Sequence, residues 1–137
     1  MKILVCGSRE WTDPGPIERE LRKYGARLPV VIHGANGGFT GLDRKGPPIG
    51  ADFIAGQVAR ALGYQVREYP VTPQDWAHHG RAAGPRRNAH MLEVEHLRND
   101  PIGLVLAFAV DFTRARGTND MRKKARAKGI VVESFSL

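Results

Sequence analysis

Residues 83–88, with the sequence AGPRRN, hold the side chains best suited to binding an anion. Arg87 and Asn88 offer donors that fit a phosphate or a planar base, and Gly84 lets the backbone approach a ligand closely. Pro85 is typical of a first helical position, and a helix that begins there directs free N–H groups at a ligand. We therefore predict that Arg87 and Asn88 contact a nucleotide. The alternative is a capped surface helix with two solvated arginines.

Several other glycine-containing turns follow apolar runs, as expected at the carboxyl ends of strands, where open α/β sheets bind their ligands. We predict that Ser8 and Arg9 hold a phosphate or carboxylate; the alternative is a solvated turn. Asp52 is predicted to accept hydrogen bonds from ribose hydroxyls or a base amino group. The full set of predicted ligand-binding residues is Gly7, Ser8, Arg9, Gly34, Gly50, Asp52, Trp76, Gly84, Arg87, Asn88, Gly117 and Thr118.

Some of these residue types more often have structural roles. Asp52 also suits a helix start, where a carboxylate interacts favourably with the helix dipole. Trp76 is a candidate for stacking on a base, although a single tryptophan more often packs in a core. His33 and His79 are candidate donors or general acids, but lone histidines are more often structural. No spacing of histidines or cysteines fits a metal site, so we predict neither a metal nor a cofactor.

The composition predicts one basic, cytoplasmic domain of 137 residues. The formal net charge of +7 favours anionic partners such as nucleotides, nucleic acid or an acidic protein. The basic residues from Arg122 to Lys128 are, however, more typical of a solvated helix face. The single cysteine, Cys6, excludes an intrachain disulfide and is expected to be a buried structural thiol. No segment resembles a signal peptide or a membrane span, and we expect no membrane association.

Hydrophobic periodicity predicts the order β-α-β-α-β-α-β-α-β. Such alternation predicts an α/β fold: a single Rossmann-like domain over residues 1–137, with a parallel sheet of about five strands and helices on both faces. Residues 35–49, rich in glycine and proline, are predicted to be a loop insertion, and residues 73–80 to be irregular or one helical turn. Thr118 is a predicted N-cap. The predicted strands are residues 3–6, 29–33, 64–69, 102–109 and 130–132, and the predicted helices are residues 14–24, 50–62, 85–98 and 118–128.

The ordered set of motifs resembles the SLOG superfamily, in particular its small stand-alone YspA-like branch near the YpsA-related group. The motifs span nearly the whole chain, and each is short, so the resemblance depends on their order and on their positions after strands. The resemblance implies a Rossmann-like fold, a nucleotide or nucleotide-derived ligand over the strand ends, and self-association as a dimer or tetramer. The motifs are Gly7-Ser8-Arg9, His33-Gly34, Gly50-Ala51-Asp52, Asp75-Trp76 with His79-Gly80, Ala83-Gly84-Pro85 with Arg87-Asn88, and Gly117-Thr118 with Asp120-Met121.

The same superfamily includes Lonely-guy-type phosphoribohydrolases, which cleave the N-glycosidic bond of a nucleoside monophosphate. Their signature P-G-G-x-G-T-x-x-E and an upstream arginine are matched in part by Gly117-Thr118 and Arg87. The two leading glycines are absent, and Met121 stands at the glutamate position, so the carboxylate that such hydrolysis needs is missing there. The candidate catalytic residues for such hydrolysis are Asp120, Asp52 and Arg87.

Three functions follow from these observations. The first is a binding module for a nucleotide or a nucleotide-derived signal, for instance an ADP-ribose-type molecule. The second is an N-glycosidic hydrolase in which Asp52 or Asp120 supplies the carboxylate. The third is a nucleic-acid-binding protein, suggested by the charge and by the DNA-processing member of the superfamily, although the basic residues lack interleaved aromatic side chains.

Overall fold

A computed structural model describes residues 1–137. The chain forms five longer strands, two short ones and five α-helices. Along the chain they are β1 (Lys2–Gly7), α1 (Pro14–Arg22), β2 (Val30–His33), β3 (Gly38–Phe39), β4 (Pro48–Ile49), α2 (Ala51–Ala61), β5 (Gln65–Glu68), α3 (Pro73–His79), α4 (Ala83–Glu95), β6 (Ile102–Ala109), α5 (Arg116–Ala127) and β7 (Val132–Ser136).

Strand β1 lies at the centre of a parallel sheet with the order β5-β2-β1-β6-β7. It pairs with β2 from Lys2↔Val30 to Val5↔His33 on one side and with β6 on the other. The chain moves outward from β1 through β2 and β5, then returns to form β6 and β7 on the opposite side. The direction therefore reverses between β1 and β6, where folds of this kind bind their ligands. The prediction of a single Rossmann-like α/β domain with five parallel strands is confirmed.

Helices cover both faces of the sheet, as predicted. Helices α1 and α2 pack on one face around Trp11 and Ile54, and α4 and α5 pack on the other around Met91 and Met121. Because both faces are covered, the central strands are continuous apolar runs rather than alternating ones. No helix combines the length and the apolar character that a membrane crossing requires.

Helix α4 begins before the predicted position. A 3₁₀ turn at Gly80–Ala82 leads from α3 directly into α4, which begins at Ala83 and ends at Glu95. The prediction of residues 85–98 is therefore wrong at both ends. Pro85 is the third helical residue, where its missing N–H costs nothing because the first turn has no partner for it. Gly84 thus lies inside the helix rather than in front of it.

The boundaries near the C-terminus also differ from the predictions. Helix α5 begins at Arg116, with Ala115 at the N-cap position and no side-chain cap, so Thr118 is not the N-cap. In the turn before the helix, Asp111 Oδ1 accepts from the Thr113 N–H at 3.0 Å. The turn that this hydrogen bond stabilises continues into the helix, which therefore begins two residues before Thr118. Strand β7 is Val132–Ser136 rather than residues 130–132.

Two segments contain more structure than predicted. Residues 73–80 include the complete helix α3, whose capping box joins the Thr72 hydroxyl to the Asp75 N–H and the Asp75 carboxylate to the Thr72 N–H. The predicted loop at residues 35–49 contains an antiparallel hairpin formed by β3 and β4. Phe39 of this hairpin packs edge-to-face on Phe53 of α2, which fixes the hairpin against the domain.

Candidate ligand-binding site

A cavity of about 280 Å³ opens at the carboxyl ends of β1 and β6, where the chain direction reverses. Gly50 and Trp76 are the two predicted ligand-binding residues that do not line it. The structure thus brings together turns that lie more than one hundred residues apart in the sequence. The ten predicted residues that line the cavity are Gly7, Ser8, Arg9, Gly34, Asp52, Gly84, Arg87, Asn88, Gly117 and Thr118.

The turn after β1 joins both sides of the cavity. The Ser8 N–H donates to the Phe108 carbonyl at 2.8 Å, and the Ser8 carbonyl accepts from the Ala51 N–H at 3.1 Å. A Cβ at Gly7 would lie 2.5 Å from the Ala51 Cβ and would also overlap the Phe108 carbonyl. Only glycine therefore lets the start of α2 and the end of β6 approach this turn. The Ser8 hydroxyl also accepts from the Val110 N–H at 3.1 Å, so it has a structural role.

Arg87 is held rigidly at the cavity by backbone carbonyls. Its Nη1 donates to Gly34 at 2.6 Å and to Tyr69 at 3.0 Å, and its Nε donates to Asn88 Oδ1 at 3.0 Å. The Nη2 group has no acceptor in the protein and remains available to a ligand. Burial lowers the pKa of Arg87 and the Asp52 carboxylate opposes that change; arginine stays protonated in either case.

Asp52 supplies a buried carboxylate to the same cavity. Its side chain lies on the first turn of α2, and the residue is only 3% exposed. Oδ2 accepts from the Asn36 N–H at 3.3 Å. Oδ1 is buried and makes no hydrogen bond of good geometry, although the nearby Gly34 N–H helps to lower the pKa of the carboxyl. Burial raises the pKa of Asp52 to about 6, and the positive charge of Arg87 limits the increase. A buried acceptor without a partner is costly, so Asp52 is suited to accept from a ligand.

Asn88 connects α4 to α5 rather than facing a ligand with free groups. Its Nδ2 donates to the Gly117 carbonyl at 3.3 Å and to Asp120 Oδ2 at 3.0 Å, while its Oδ1 accepts from Arg87. Asp120 also forms an ion pair with Lys124 at 2.8 Å. Asp120 does not line the cavity. Of the two carboxylates predicted as catalytic candidates, only Asp52 faces the cavity.

The start of α5 gives the cavity an anion-binding edge. No side chain caps this helix, and the N–H groups of Gly117 and Thr118 have no acceptor. A helix start with free N–H groups attracts anions. Arg9, Arg114 and Arg116 are exposed and line the same edge, and only Arg114 has an acidic partner, Asp111 at 3.2 Å. The rim therefore carries three arginines against the exposed Glu10, whereas the interior holds the Asp52 carboxylate.

Several lining residues were not predicted. Arg114 precedes α5, Arg116 is its first residue, and Asn36 lies two residues beyond Gly34. The strand-end rule that indicated Gly117 and Gly34 could therefore have found all three. Cys6 was expected to be a buried structural thiol, but it is half-buried and lines the cavity. Burial raises the pKa of Cys6 far above its ordinary range, so the thiol stays protonated. No signal in the sequence identifies it as a lining residue.

The remaining candidates lie elsewhere. Trp76 is exposed on α3 outside the cavity, and His79 lines a separate groove beside α4. His33 is buried next to the site; its Nδ1 accepts from the Ala35 N–H at 2.9 Å, and burial lowers its pKa to about 4, so it is neutral near pH 7. No cluster of histidine, cysteine, aspartate and glutamate side chains has the arrangement of a metal site.

The basic run on α5 is only partly the solvated face that the sequence predicted. The Arg122 guanidinium stacks 4.2 Å from the centre of the Phe112 ring, and Lys124 pairs with Asp120. Lys123, Arg126 and Lys128 are exposed, as predicted. Nucleic-acid binding by this charge remains a prediction.

The fold and the cavity define a single-domain Rossmann-like protein with a polar site at the reversal point of its sheet. The chain is similar to the Gene 61 protein of Mycobacterium phage D29, with 30% identity over 141 residues, covering 98% of this chain and 95% of that protein. The chain therefore belongs to the same family as that phage protein. No family model matches the chain, and no solved structure matches it.

Proposed function

We propose that this protein binds a nucleotide or a nucleotide-derived small molecule in the cavity at the strand ends. One observation supports this most: Asp52 and Arg87 line the same cavity, and each has a polar atom that makes no hydrogen bond within the protein. These atoms are Asp52 Oδ1 and Arg87 Nη2. A simple anion would leave the carboxylate unsatisfied, and a simple sugar would leave the arginine unsatisfied. A ligand with an anionic end and a hydroxyl or amino end satisfies both.

The anionic end fits the rim. The free N–H groups of Gly117 and Thr118 and the guanidinium of Arg9 are donors suited to a phosphate. The other end fits Asp52, which would accept hydrogen bonds from ribose hydroxyls or an exocyclic amino group. The resemblance to the SLOG superfamily supports the same class of ligand.

Thermal shift and isothermal titration calorimetry with AMP, ADP-ribose, ribose 5-phosphate and inorganic phosphate would test this proposal. Arg9→Ala is the informative variant because Arg9 is exposed and makes no contact that folding needs. We expect AMP or ADP-ribose to raise Tm and Arg9→Ala to weaken binding about tenfold. The matched control is Arg19→Ala, an exposed arginine of α1 without a partner, which should change neither. Absence of a shift with every ligand would refute the proposal.

A second candidate is hydrolysis of a nucleotide N-glycosidic bond, favoured by one observation, the raised pKa of the Asp52 carboxyl in the cavity. In this reaction the bond between ribose C1′ and the base nitrogen breaks and a bond from C1′ to water oxygen forms. The Asp52 carboxylate would accept the proton of that water or stabilise the positive charge on the ribose, and the departing base nitrogen would take up a proton from solvent. Met121, at the glutamate position of the hydrolases, is buried and lines the cavity, so it supplies no second carboxylate.

Chromatographic detection of free base separates the two candidates. Incubation with nucleoside monophosphates should release base if the site is catalytic, and Asp52→Asn should abolish the release while leaving phosphate-dependent binding measurable. A protein that binds the same nucleotides but releases no base over a long incubation at high concentration is a binding module.

A further inference from the structure

The cavity at the strand ends has no aromatic side chain on its wall. Trp11 and Phe108, which belong to the core on one face of the sheet, are fully buried and pack on each other with ring centres 5.5 Å apart. Stacking on an aromatic ring is a main source of affinity for a nucleobase, and the cavity offers no such ring. The apolar residues of the wall are Leu4, Val5, Cys6, Met91, Ala115 and Met121.

The asparagine on α4 is not free to recognise the edge of a base. A base edge is recognised by a donor and an acceptor of one side chain acting together, as in the amide of asparagine. Both groups of the Asn88 amide are occupied within the protein: Nδ2 donates to Gly117 and Asp120, and Oδ1 accepts from Arg87. The cavity therefore lacks both the stacking surface and the α4 amide that would distinguish one base from another.

The interior of the cavity instead suits neighbouring hydroxyl groups. Asp52 is 3% exposed, and its Oδ1 makes no hydrogen bond of good geometry. A carboxylate only accepts hydrogen bonds, so its missing partner is a donor. Asn36 lies beside it, because the Asn36 N–H donates to Asp52 Oδ2 at 3.3 Å, and the Asn36 amide makes no hydrogen bond of its own. A carboxylate and an amide side by side match the vicinal hydroxyls of a sugar, which both donate and accept.

The start of α5 supplies the donors for a phosphate in the same small space. The N–H groups of Gly117 and Thr118 have no acceptor. Thr118 is only 5% exposed, and its hydroxyl makes no hydrogen bond within the protein, so it adds a third donor. The cavity volume of about 280 Å³ lies just below the range of roughly 300–1,000 Å³ that is typical of pockets for drug-sized ligands. A sugar phosphate is a ligand of suitable size with both kinds of group.

We infer that the cavity recognises the sugar phosphate of its ligand and not the base, so that a pentose phosphate without a base binds as well as a nucleotide. This inference rests on the proposed function, since it concerns the same ligand in the same cavity. Asp52 accepts from the 2- and 3-hydroxyls, and the start of α5 binds the phosphate. A base carried on C1 is left at the opening, among exposed arginines whose guanidinium planes stack on every base alike.

Isothermal titration calorimetry with ribose 5-phosphate, 2-deoxyribose 5-phosphate, AMP, UMP and dAMP tests the inference. We expect ribose 5-phosphate, AMP and UMP to have Kd values within about threefold of one another, because the base adds no specific contact. The 2-deoxy compounds lack one hydrogen bond to a buried carboxylate. We therefore expect dAMP to bind at least about tenfold more weakly than AMP, and 2-deoxyribose 5-phosphate at least about tenfold more weakly than ribose 5-phosphate.

Asp52→Asn identifies the group that recognises the hydroxyls. It should reduce the ratio of the dAMP and AMP Kd values to less than about threefold, because the ionic acceptor is gone. The matched control is Asp43→Asn, the same change at an exposed position of the β3–β4 hairpin outside the cavity, which should leave that ratio as it was. A ratio that Asp52→Asn leaves unchanged, or that Asp43→Asn reduces equally, would overturn the inference.

The panel of compounds also separates this inference from the proposed function. If AMP binds more than about tenfold tighter than both ribose 5-phosphate and UMP, the cavity recognises the base, and the inference is wrong while the proposed function stands. Deoxy compounds that bind as tightly as their ribose counterparts would have the same consequence. If none of the five compounds binds, the proposed function is refuted and the inference with it.

Discussion

The carbonyl oxygen of Gly34 accepts a 2.6 Å hydrogen bond from Nη1 of Arg87, and a Cβ added to Gly34 would lie 2.5 Å from that same nitrogen. A side chain at this glycine after β2 would therefore displace the Arg87 guanidinium of α4 from its present position. Because this contact orients the guanidinium at the cavity, position 34 controls the site through Arg87.

Gly34→Ala is expected to displace the Arg87 guanidinium and to weaken nucleotide binding. The displaced guanidinium would lose its hydrogen bonds to the Gly34 and Tyr69 carbonyls, which should lower the free energy of unfolding by about 1–3 kcal/mol. Gly84→Ala is the contrasting change, since a Cβ there meets no atom within 4 Å and alanine favours the helix by roughly 0.5–1 kcal/mol. Urea denaturation of both variants measures the difference. Equal stability of the two would contradict the geometry described for Gly34.

Asp52→Asn is expected to stabilise the protein at neutral pH. The folded-state pKa of Asp52 is raised from 3.8 to about 6, so folding favours the protonated form. The stability that comes from this preference is fully present below pH 3.8 and is lost as the pH rises through 6. At neutral pH the ionised carboxylate therefore lowers the free energy of unfolding by about 3 kcal/mol. Asparagine, which cannot ionise, avoids the cost. Denaturation curves should show Asp52→Asn to be more stable at pH 7.5 and no more stable at pH 4, with reduced nucleotide affinity.

His33 has the opposite effect on the pH dependence. Burial lowers its folded-state pKa from 6.5 to about 4, so the unfolded chain binds the proton more readily. The contribution of neutral His33 to the free energy of unfolding is present above pH 6.5. It is lost as the pH falls from 6.5 through 4, and the loss is on the order of 3 kcal/mol. His33→Asn, whose oxygen would still accept from the Ala35 N–H, should remove this acid-induced loss. His78→Gln, at an exposed histidine of α3, is the matched control for the removal of one imidazole.

The order of elements and most of the cavity could be predicted because both follow from local rules. Apolar runs predicted β1, β2 and β6, the first two of them ending at a glycine, and the convergence of their carboxyl ends placed Arg9, Asp52 and Arg87 together. Convergence alone does not say which groups of a side chain remain free. Asn88 was predicted to bind a ligand, but its amide is occupied by Gly117 and Asp120, a pairing of α4 with α5 that depends on tertiary packing.

The errors in the helix boundaries have a common cause. Pro85 and Thr118 were interpreted as markers of helix starts, yet each lies inside the first turn because the preceding residues continue the helical path. The residues before Pro85 form the 3₁₀ turn at Gly80–Ala82, and those before Thr118 form the turn in which Asp111 accepts from the Thr113 N–H. Propensity identifies residues that a first turn tolerates, but contacts outside the helix decide where the turn begins.

Glu95 is expected to be the most sensitive charged position outside the cavity. Its buried carboxylate accepts from Arg67 at 2.7 Å and forms a 3.2 Å ion pair with the buried Lys2, and Tyr69 also donates to it. Glu95→Ala leaves Lys2 with only the exposed Asp100 as an acidic partner, and loss of one member of a buried pair typically costs about 3–5 kcal/mol. Glu93→Ala, at an exposed position of the same helix, should change the unfolding free energy by less than about 0.5 kcal/mol. Chemical denaturation compares the two variants at protein concentrations low enough to exclude self-association. A Glu95→Ala variant as stable as Glu93→Ala would show that the buried network contributes little to the free energy of unfolding.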